Sequence, residues 1–427
     1  MWKKAIKIIP DGNTLLSKRP QLWLPRKWPT HFISSKNITL IDHKKKRYKD
    51  FLFAVGTNVL GYSNTKVDRQ VSKAISKGNM TSINAIEEYQ LAEKLIQINP
   101  WAGMVKFARA GGDANAIAIR IARAASGKNN VAFCGYHGWH DWYVATNLTN
   151  KNGLNNHLID GIKTYGVNKK LNKTIYPFLY NDFKNLKKLI ENKKIGTVIM
   201  EVKRYEEPKN NFLKKIRDIC NKKNIVLIFD ECTTGFRQTF GGLYKEYSVI
   251  PDIIMYGKAL GNGYAINAVV GKKSIMQYAK KSFISSTFWG ERLGFVAGLA
   301  SIEEMKRVKS WKQVKETGNY VIKKWKKIAE ENKIKISIKG LESIPTMFFD
   351  ELYHAEFRTL IASEMLKKNM LASNLFYIST KHTKKDINNY LEHLFDIFRL
   401  MRKIQNRGDS KKFKKNSNAL MGISRLN

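Results

Sequence analysis

Asp230 and Lys258 each lie just beyond an apolar, β-branched run, and together they offer an acid and an amine. The first run, 225–229, leads into Asp230-Glu231. The second, 253–255, continues through Tyr256 and Gly257 to Lys258, inside a turn that also holds Gly261 and Gly263. In an open α/β sheet the ligand crevice lies outside the carboxyl ends of the strands, so both side chains are expected at one site. A buried carboxylate and a nucleophilic lysine in one cleft point to Schiff-base chemistry with an aromatic nitrogen cofactor.

The elements that must position them follow from the pattern around them. Residues 195–201 (IGTVIME), a helix around 212–220 and the run 224–230 (NIVLIFD) give the strand, helix, strand order of a right-handed parallel unit. That places Asp230 in a doubly wound sheet, with a further strand at 266–271. Residues 106–125 (KFARAGGDANAIAIRIARAA) read as a short strand, the pair Gly111-Gly112 and an Ala/Ile-rich helix from Asp113. Glycines at a helix start let the backbone approach an anion, and the unpaired N–H groups with the helix dipole favour phosphate. On its own a Gly-Gly pair is more often a plain turn. Next, 131–134 reads as a strand ending in Gly135-Tyr136-His137-Gly138, where Tyr136 is either a core aromatic or a lid for a flat ring. His137, His140 and Asp141 lack a third or fourth partner in the sequence, so no metal is expected.

DECTTGFR followed by a Gly-Gly, a Pro-Asp and then GKALGNG resembles the signature of class-III, pyridoxal-phosphate-dependent aminotransferases, a family that includes glutamate-1-semialdehyde aminomutase. The likeness runs over residues 37–400. It implies an α/β chain of fold type I, with a large, mostly parallel sheet domain and a smaller α+β domain. It further implies pyridoxal 5'-phosphate as cofactor, with Lys258 carrying the Schiff base and Asp230 pairing with the ring nitrogen. Gly111 and Gly112 occupy the family's phosphate-binding positions, where the usual hydroxyls are absent, so backbone amides are expected to do the binding. Tyr136 matches the residue that covers the ring. Thr287 matches a threonine that reaches the neighbouring subunit's cofactor phosphate, which implies a homodimer with shared active sites; read alone, a threonine in a Ser/Thr cluster is a turn or cap residue. Glu201 ends its strand where the family has Glu-Pro, with Val202 in place of the proline.

At 427 residues the chain can bury a large core, and its 76 basic against 35 acidic residues give a formal charge of +41. That charge is spread along every segment with no nucleic-acid-binding pattern. We therefore expect a lysine-rich solvated surface and no nucleic-acid partner, the alternative being a noncatalytic nucleic-acid-binding or regulatory protein on the same fold. Cys134, Cys220 and Cys232 form neither a disulfide framework nor a zinc site, and no apolar run reaches a membrane span, so a cytoplasmic protein with no membrane partner is expected.

The expected layout is a proline-broken arm and hairpin over 1–60 packing with the small domain, a large cofactor-binding domain over 61–302, a small α+β domain over 303–403 and a disordered basic tail over 404–427. Within the small domain we expect strands near Ile336, at 346–349 and at 375–379, a helix over 355–368, and a final helix opened by a Thr383–Asp386 capping box. Residues 151–173 read as a polar insertion. The segment 371–380 is shorter than the aminomutases carry, and their N-terminal glycine-rich segment is replaced by LWLPRKWPTHF. The function expected is transfer of an amino group from a small-molecule amino donor to a carbonyl acceptor, a sugar among the candidates. The alternative is glutamate-1-semialdehyde 2,1-aminomutase.

Overall fold

A computed structural model describes residues 1–148 and 164–407. Most of the 151–173 insertion, up to residue 163, and the basic tail from 408 onward lie outside the described residues. The last helix, Lys384–Arg407, continues four residues past the point where the tail was expected to begin. The described residues divide into two compact units, one of 1–64 with 312–407 and the other of 65–311.

In the first unit the helix Trp2–Ile8 stops before Pro10, with Ile9 extended at φ −121°, because the residue ahead of a proline is pushed out of the helical region. Strands β1 (Phe32–Lys36), β2 (Thr39–Asp42) and β3 (Arg47–Asp50) form an antiparallel meander. The β2–β3 tip is closed by Asp42, whose Oδ1 accepts N–H bonds from Lys44 (2.8 Å) and Lys46 (2.9 Å).

The second unit holds a seven-stranded sheet made of β4 (Met104–Ala108), β5 (Asn130–Cys134), β6 (Ile175–Pro177), β7 (Ile195–Met200), β8 (Val226–Glu231), β9 (Ile253–Tyr256) and β10 (Asn267–Gly271). Their order is β4-β10-β9-β8-β7-β5-β6. All neighbours pair in parallel except β10, which runs antiparallel to both β4 and β9. Every residue of β7 and β8 is buried, the result of covering both faces of a parallel sheet, and this is why the two strands read as mostly apolar runs without a polar alternation. The helix Gly111–Ser126 packs against β7, β8, β9 and β10 with its Ala and Ile side chains. It begins at Gly111, two residues before the expected start, and ends at Gly127 with φ +65°.

The chain then returns to the first unit, where β11 (Ile336–Leu341) and β12 (Ile344–Phe349) form a hairpin and β13 (Met370–Leu371) adds to β3 in parallel. The strand expected at 375–379 is not formed. Its N–H groups bond outward in turn, Phe376 to the Pro345 carbonyl, Tyr377 to Phe51 and Ile378 to Ser343. With its bonds shared between two separate segments, the stretch belongs to no single ladder. The capping box is present: Thr383 Oγ1 accepts from the Asp386 N–H (3.1 Å) and Asp386 Oδ2 accepts from the Thr383 N–H (3.1 Å).

Candidate active site

β8 and β9 lie side by side with Asp230 opposite Met255, so Asp230 and the residues just past Tyr256 emerge at the same edge of the sheet. Gly257 follows, where an added Cβ would lie 2.1 Å from Asn267 Oδ1, and no larger residue can pass there. Lys258 comes next with φ +42°. For a residue with a Cβ this left-handed backbone costs roughly 1–2 kcal/mol, and strain of this kind gathers at functional positions. Lys258 Nζ donates a hydrogen bond to Thr233 Oγ1 at 2.7 Å.

Asp230 is buried beneath three donors. Its Oδ2 accepts from Asn115 Nδ2 and from His137 Nδ1, both at 2.9 Å, and its Oδ1 accepts from the Cys232 N–H at 3.1 Å. The other ring nitrogen of His137 faces the Cys134 carbonyl at 3.2 Å. Both ring nitrogens of His137 thus face acceptor oxygens. Burial pulls the Asp230 carboxyl upward, but His137, Asn115 and the Cys232 N–H outweigh it and hold the group at about 2. Its neighbour Glu231 serves a different end: its carboxylate accepts from Thr234 Oγ1 and from the N–H groups of Leu243 and Tyr244. Those bonds fasten the loop that contains the Gly-Gly pair, and burial pushes Glu231 up to about 7.

The turn after β5 lies against the start of the helix Gly111–Ser126. Gly138, at φ +103°, comes so close that its Cβ would stand 2.9 Å from Gly112 Cα. The N–H groups of the first helical turn, from Gly111, Gly112 and Asp113, have no carbonyl within the helix to bond. Asp113 turns its carboxylate to His140 Nε2 (3.1 Å), so the two histidines beside Tyr136 each engage an aspartate. Among the described residues no cluster of His, Cys, Asp or Glu could hold a metal ion. Tyr136 is partly buried, and its N–H donates to Glu201 Oε2 at 3.1 Å.

Thr287 opens the short 3-10 turn Thr287–Gly290 and is exposed. Its segment is tied to the residues beside Gly111: Arg109 Nε donates to the Phe288 carbonyl (2.8 Å) and Arg120 Nη1 to the Phe283 carbonyl (2.7 Å). The sequence had marked Asp230 and Lys258 but not Asn115 or Thr233, and it had weighed His137 only as a metal ligand. One signal for Asn115 was present, an amide breaking an Ala/Ile-rich helical run four residues after Gly111.

The family model for the class-III aminotransferases matches residues 26–365. The chain belongs to this family. A curated relative, 3-aminobutyryl-CoA aminotransferase of Cloacimonas acidaminovorans (strain Evry), is 32% identical over 91% of this chain and 93% of its own length. The glutamate-1-semialdehyde 2,1-aminomutase of Wigglesworthia glossinidia brevipalpis is 28% identical over 94% and 97%. In fold, this class-III aminotransferase matches the solved FumI protein of Sphingopyxis sp. MTA144 with a TM-score of 0.85 at 20% identity, covering 95% of this chain and 96% of that one. The class-III aminotransferase chain is therefore that of an enzyme dependent on pyridoxal phosphate, with the α/β fold of type I. Among its described residues no helix is long and apolar enough to cross a membrane.

Proposed function

We propose that the protein moves an amino group from one small molecule to the carbonyl of a second, a sugar among the candidate acceptors, through a Schiff base on Lys258. The observation that carries this reading is the emergence of a strained Lys258 and an ionised Asp230 at one edge of the sheet. Pyridoxal phosphate, when bound, supplies an aldehyde that condenses with amines and a ring that draws electrons from the substrate's amino carbon. The residues present fit that group. Asp230, charged at any pH above about 2, keeps a proton on the ring nitrogen. The N–H groups of Gly111 and Gly112 bind the phosphate at the helix start, and Tyr136 covers the ring. Lys258 Nζ, steadied by Thr233, moves a proton at the substrate's amino carbon once an incoming amine has freed it.

The same reading makes the enzyme a homodimer in which Thr287 reaches the cofactor phosphate of a second copy. Its support is the exposure of Thr287 together with Phe283 (86% exposed) and Phe288 (67%) on one segment. Sedimentation of a fully active monomer would contradict it. We further propose a cytoplasmic enzyme.

Amino-group migration within one molecule is the second reading, favoured by the aminomutase relatives. The abbreviated 371–380 segment favours transfer between molecules, because a mutase gains from an enclosed site that retains its intermediate. The test is a comparison of half-reactions with glutamate and other amino donors against conversion of glutamate-1-semialdehyde to 5-aminolevulinate with no donor added. Donor dependence is the expected result, and efficient donor-free conversion would establish the mutase instead. Mass spectrometry after borohydride reduction should find the adduct on Lys258; labelling of another lysine would remove it from its role.

A further inference from the structure

We infer that Asn267 is a positioning residue: its side-chain amide clamps the turn that carries Lys258 to the loop ahead of Gly111, and the protein's hold on its cofactor depends on that clamp. The inference rests on the Lys258 reading above and deepens it. β10 runs antiparallel to both of its neighbours, with Asn267 opposite Ala108 of β4 and Ala268 opposite Tyr256 of β9. The first residue of β10 therefore stands at the edge where β4, β8 and β9 lead out to Gly111, Cys232 and Lys258. Asn267 is only 6% exposed, and an amide buried to this degree is held there by paired polar atoms.

Both ends of the amide are engaged. Nδ2 donates to the Arg109 carbonyl at 3.0 Å, and because only a donor can face a carbonyl oxygen, this bond sets which way the amide points. Oδ1 then accepts from the Cys232 thiol at 3.7 Å. It also fills the space beside Gly257, where a Cβ would lie 2.1 Å from it. A Cβ on Gly111 would stand 3.7 Å from both Asn267 Oδ1 and Cys232 Sγ. Cys232 in turn gives its N–H to Asp230 Oδ1 at 3.1 Å. One side chain thus adjoins the phosphate-side loop, the residue that follows the Asp230-Glu231 pair and the residue ahead of Lys258. The left-handed backbone of Lys258, at φ +42°, persists only where its surroundings over-determine it, and the amide packed on Gly257 is one such restraint. Displacing a reacting group by about 1 Å costs about 100-fold in rate. A clamp between the loop that takes the phosphate and the turn that offers the amine therefore acts directly on capture of the cofactor.

The experiment compares the full-length wild type with Asn267→Ala, which removes the amide, and with Asn267→Asp, which keeps its shape but sets an oxygen against the Arg109 carbonyl. Equilibrium dialysis should show pyridoxal 5'-phosphate bound about tenfold more weakly by Asn267→Ala and about 10- to 100-fold more weakly by Asn267→Asp. Pyridoxal, which has no phosphate, reports on the lysine turn and should lose only about threefold in either variant. The rate of borohydride-fixed labelling at Lys258, followed by mass spectrometry at saturating cofactor, should fall in both. A role in stability alone would lower the unfolding temperature of the cofactor-free protein and leave the affinities and the labelling rate as they are. Wild-type affinity for pyridoxal phosphate in Asn267→Asp, an equal loss for pyridoxal and its phosphate, or an unchanged labelling rate would each overturn the inference. If labelling of the wild type falls on another lysine, the Lys258 reading fails, and the two affinities still decide whether Asn267 braces the phosphate-side loop. Should Asn267→Asp not fold, Asn267→Ala carries the measurements, and failure of both to fold would make Asn267 a residue of the fold and overturn the assignment.

Discussion

Each unit of the molecule buries an aspartate beside a histidine, and the two settings are electrically opposite. In the sheet unit, Asp230 meets His137 through its carboxylate, and both nitrogens of His137 face acceptors. In the other unit, His382 meets Asp50 only through the Asp50 backbone carbonyl (3.1 Å), and its second nitrogen accepts from the Ser379 N–H (3.0 Å). His382 therefore has one donor role and one acceptor role, which is the neutral ring. Burial, outweighing the bonds to Asp50 and Ser379, depresses it to about 4. Among the described residues the Asp50 carboxylate accepts from neutral donors, Tyr62 Oη at 2.6 Å and the N–H groups of Leu52 and Phe53, and burial raises its pKa. A buried carboxylate keeps its charge where a cation is held against it and tends to lose it where the partners are neutral. The first arrangement suits an active site and the second locks a fold.

The largest expected effect falls on the sheet unit. Lys258→Ala should reduce turnover by roughly 10⁴-fold or more while its thermal unfolding stays that of the wild type; turnover near wild type would dissolve the contrast at its source. Asp230→Asn should lower kcat by about 10²- to 10³-fold, because a neutral amide no longer favours a protonated ring, and steady-state kinetics on the folded variant read this directly.

The other unit should answer in stability rather than in rate. His382 stays neutral in the folded chain down to about 4, whereas the unfolded chain takes up its proton near 6.5. Stability from this group is complete above 6.5 and falls as the pH drops toward 4, by up to about 3 kcal/mol. Denaturant titrations of the wild type and of His382→Phe across that window should differ by this amount, because His354, itself depressed to about 4 by burial and by Arg358, and Glu231, raised to about 7 by burial, titrate in both and cancel in the difference. Asp50→Asn should lower the unfolding free energy by about 1–3 kcal/mol, as one of its three donors loses its acceptor.

The smallest effect is the sharpest on the comparison itself. His137→Asn removes the imidazole from Asp230 and leaves it with neutral donors, as Asp50 has. Activity should fall about tenfold, and the acid limb of the pH–rate profile should move upward, since the Asp230 carboxyl then rises from about 2. An unmoved acid limb would show that His137 does not set the charge.

Much of the sheet unit was legible because its central strands, β7, β8 and β9, are buried along their whole length and therefore read as mostly apolar runs, with β8 ending on the Asp230-Glu231 pair that leaves the sheet. Asp230 and Lys258 stand out for that reason. The stretch 375–379 misled for the matching reason: it is apolar because it is buried, yet its N–H groups are divided between segments far away in the chain. Composition cannot distinguish burial in a ladder from burial between loops.

What the sequence determined alone was therefore local: strand ends, the glycines that admit Lys258 and the start of the phosphate-side helix, and the capping box at Thr383. What only the tertiary structure decided was which charges those residues carry. Asn115 and His137 lie 115 and 93 residues from the Asp230 they hold, and Lys203 and Arg204 look like any other surface cations of a basic chain until the fold buries them. Charge in an interior is set by the groups within a few ångströms, and only folding brings those groups within reach.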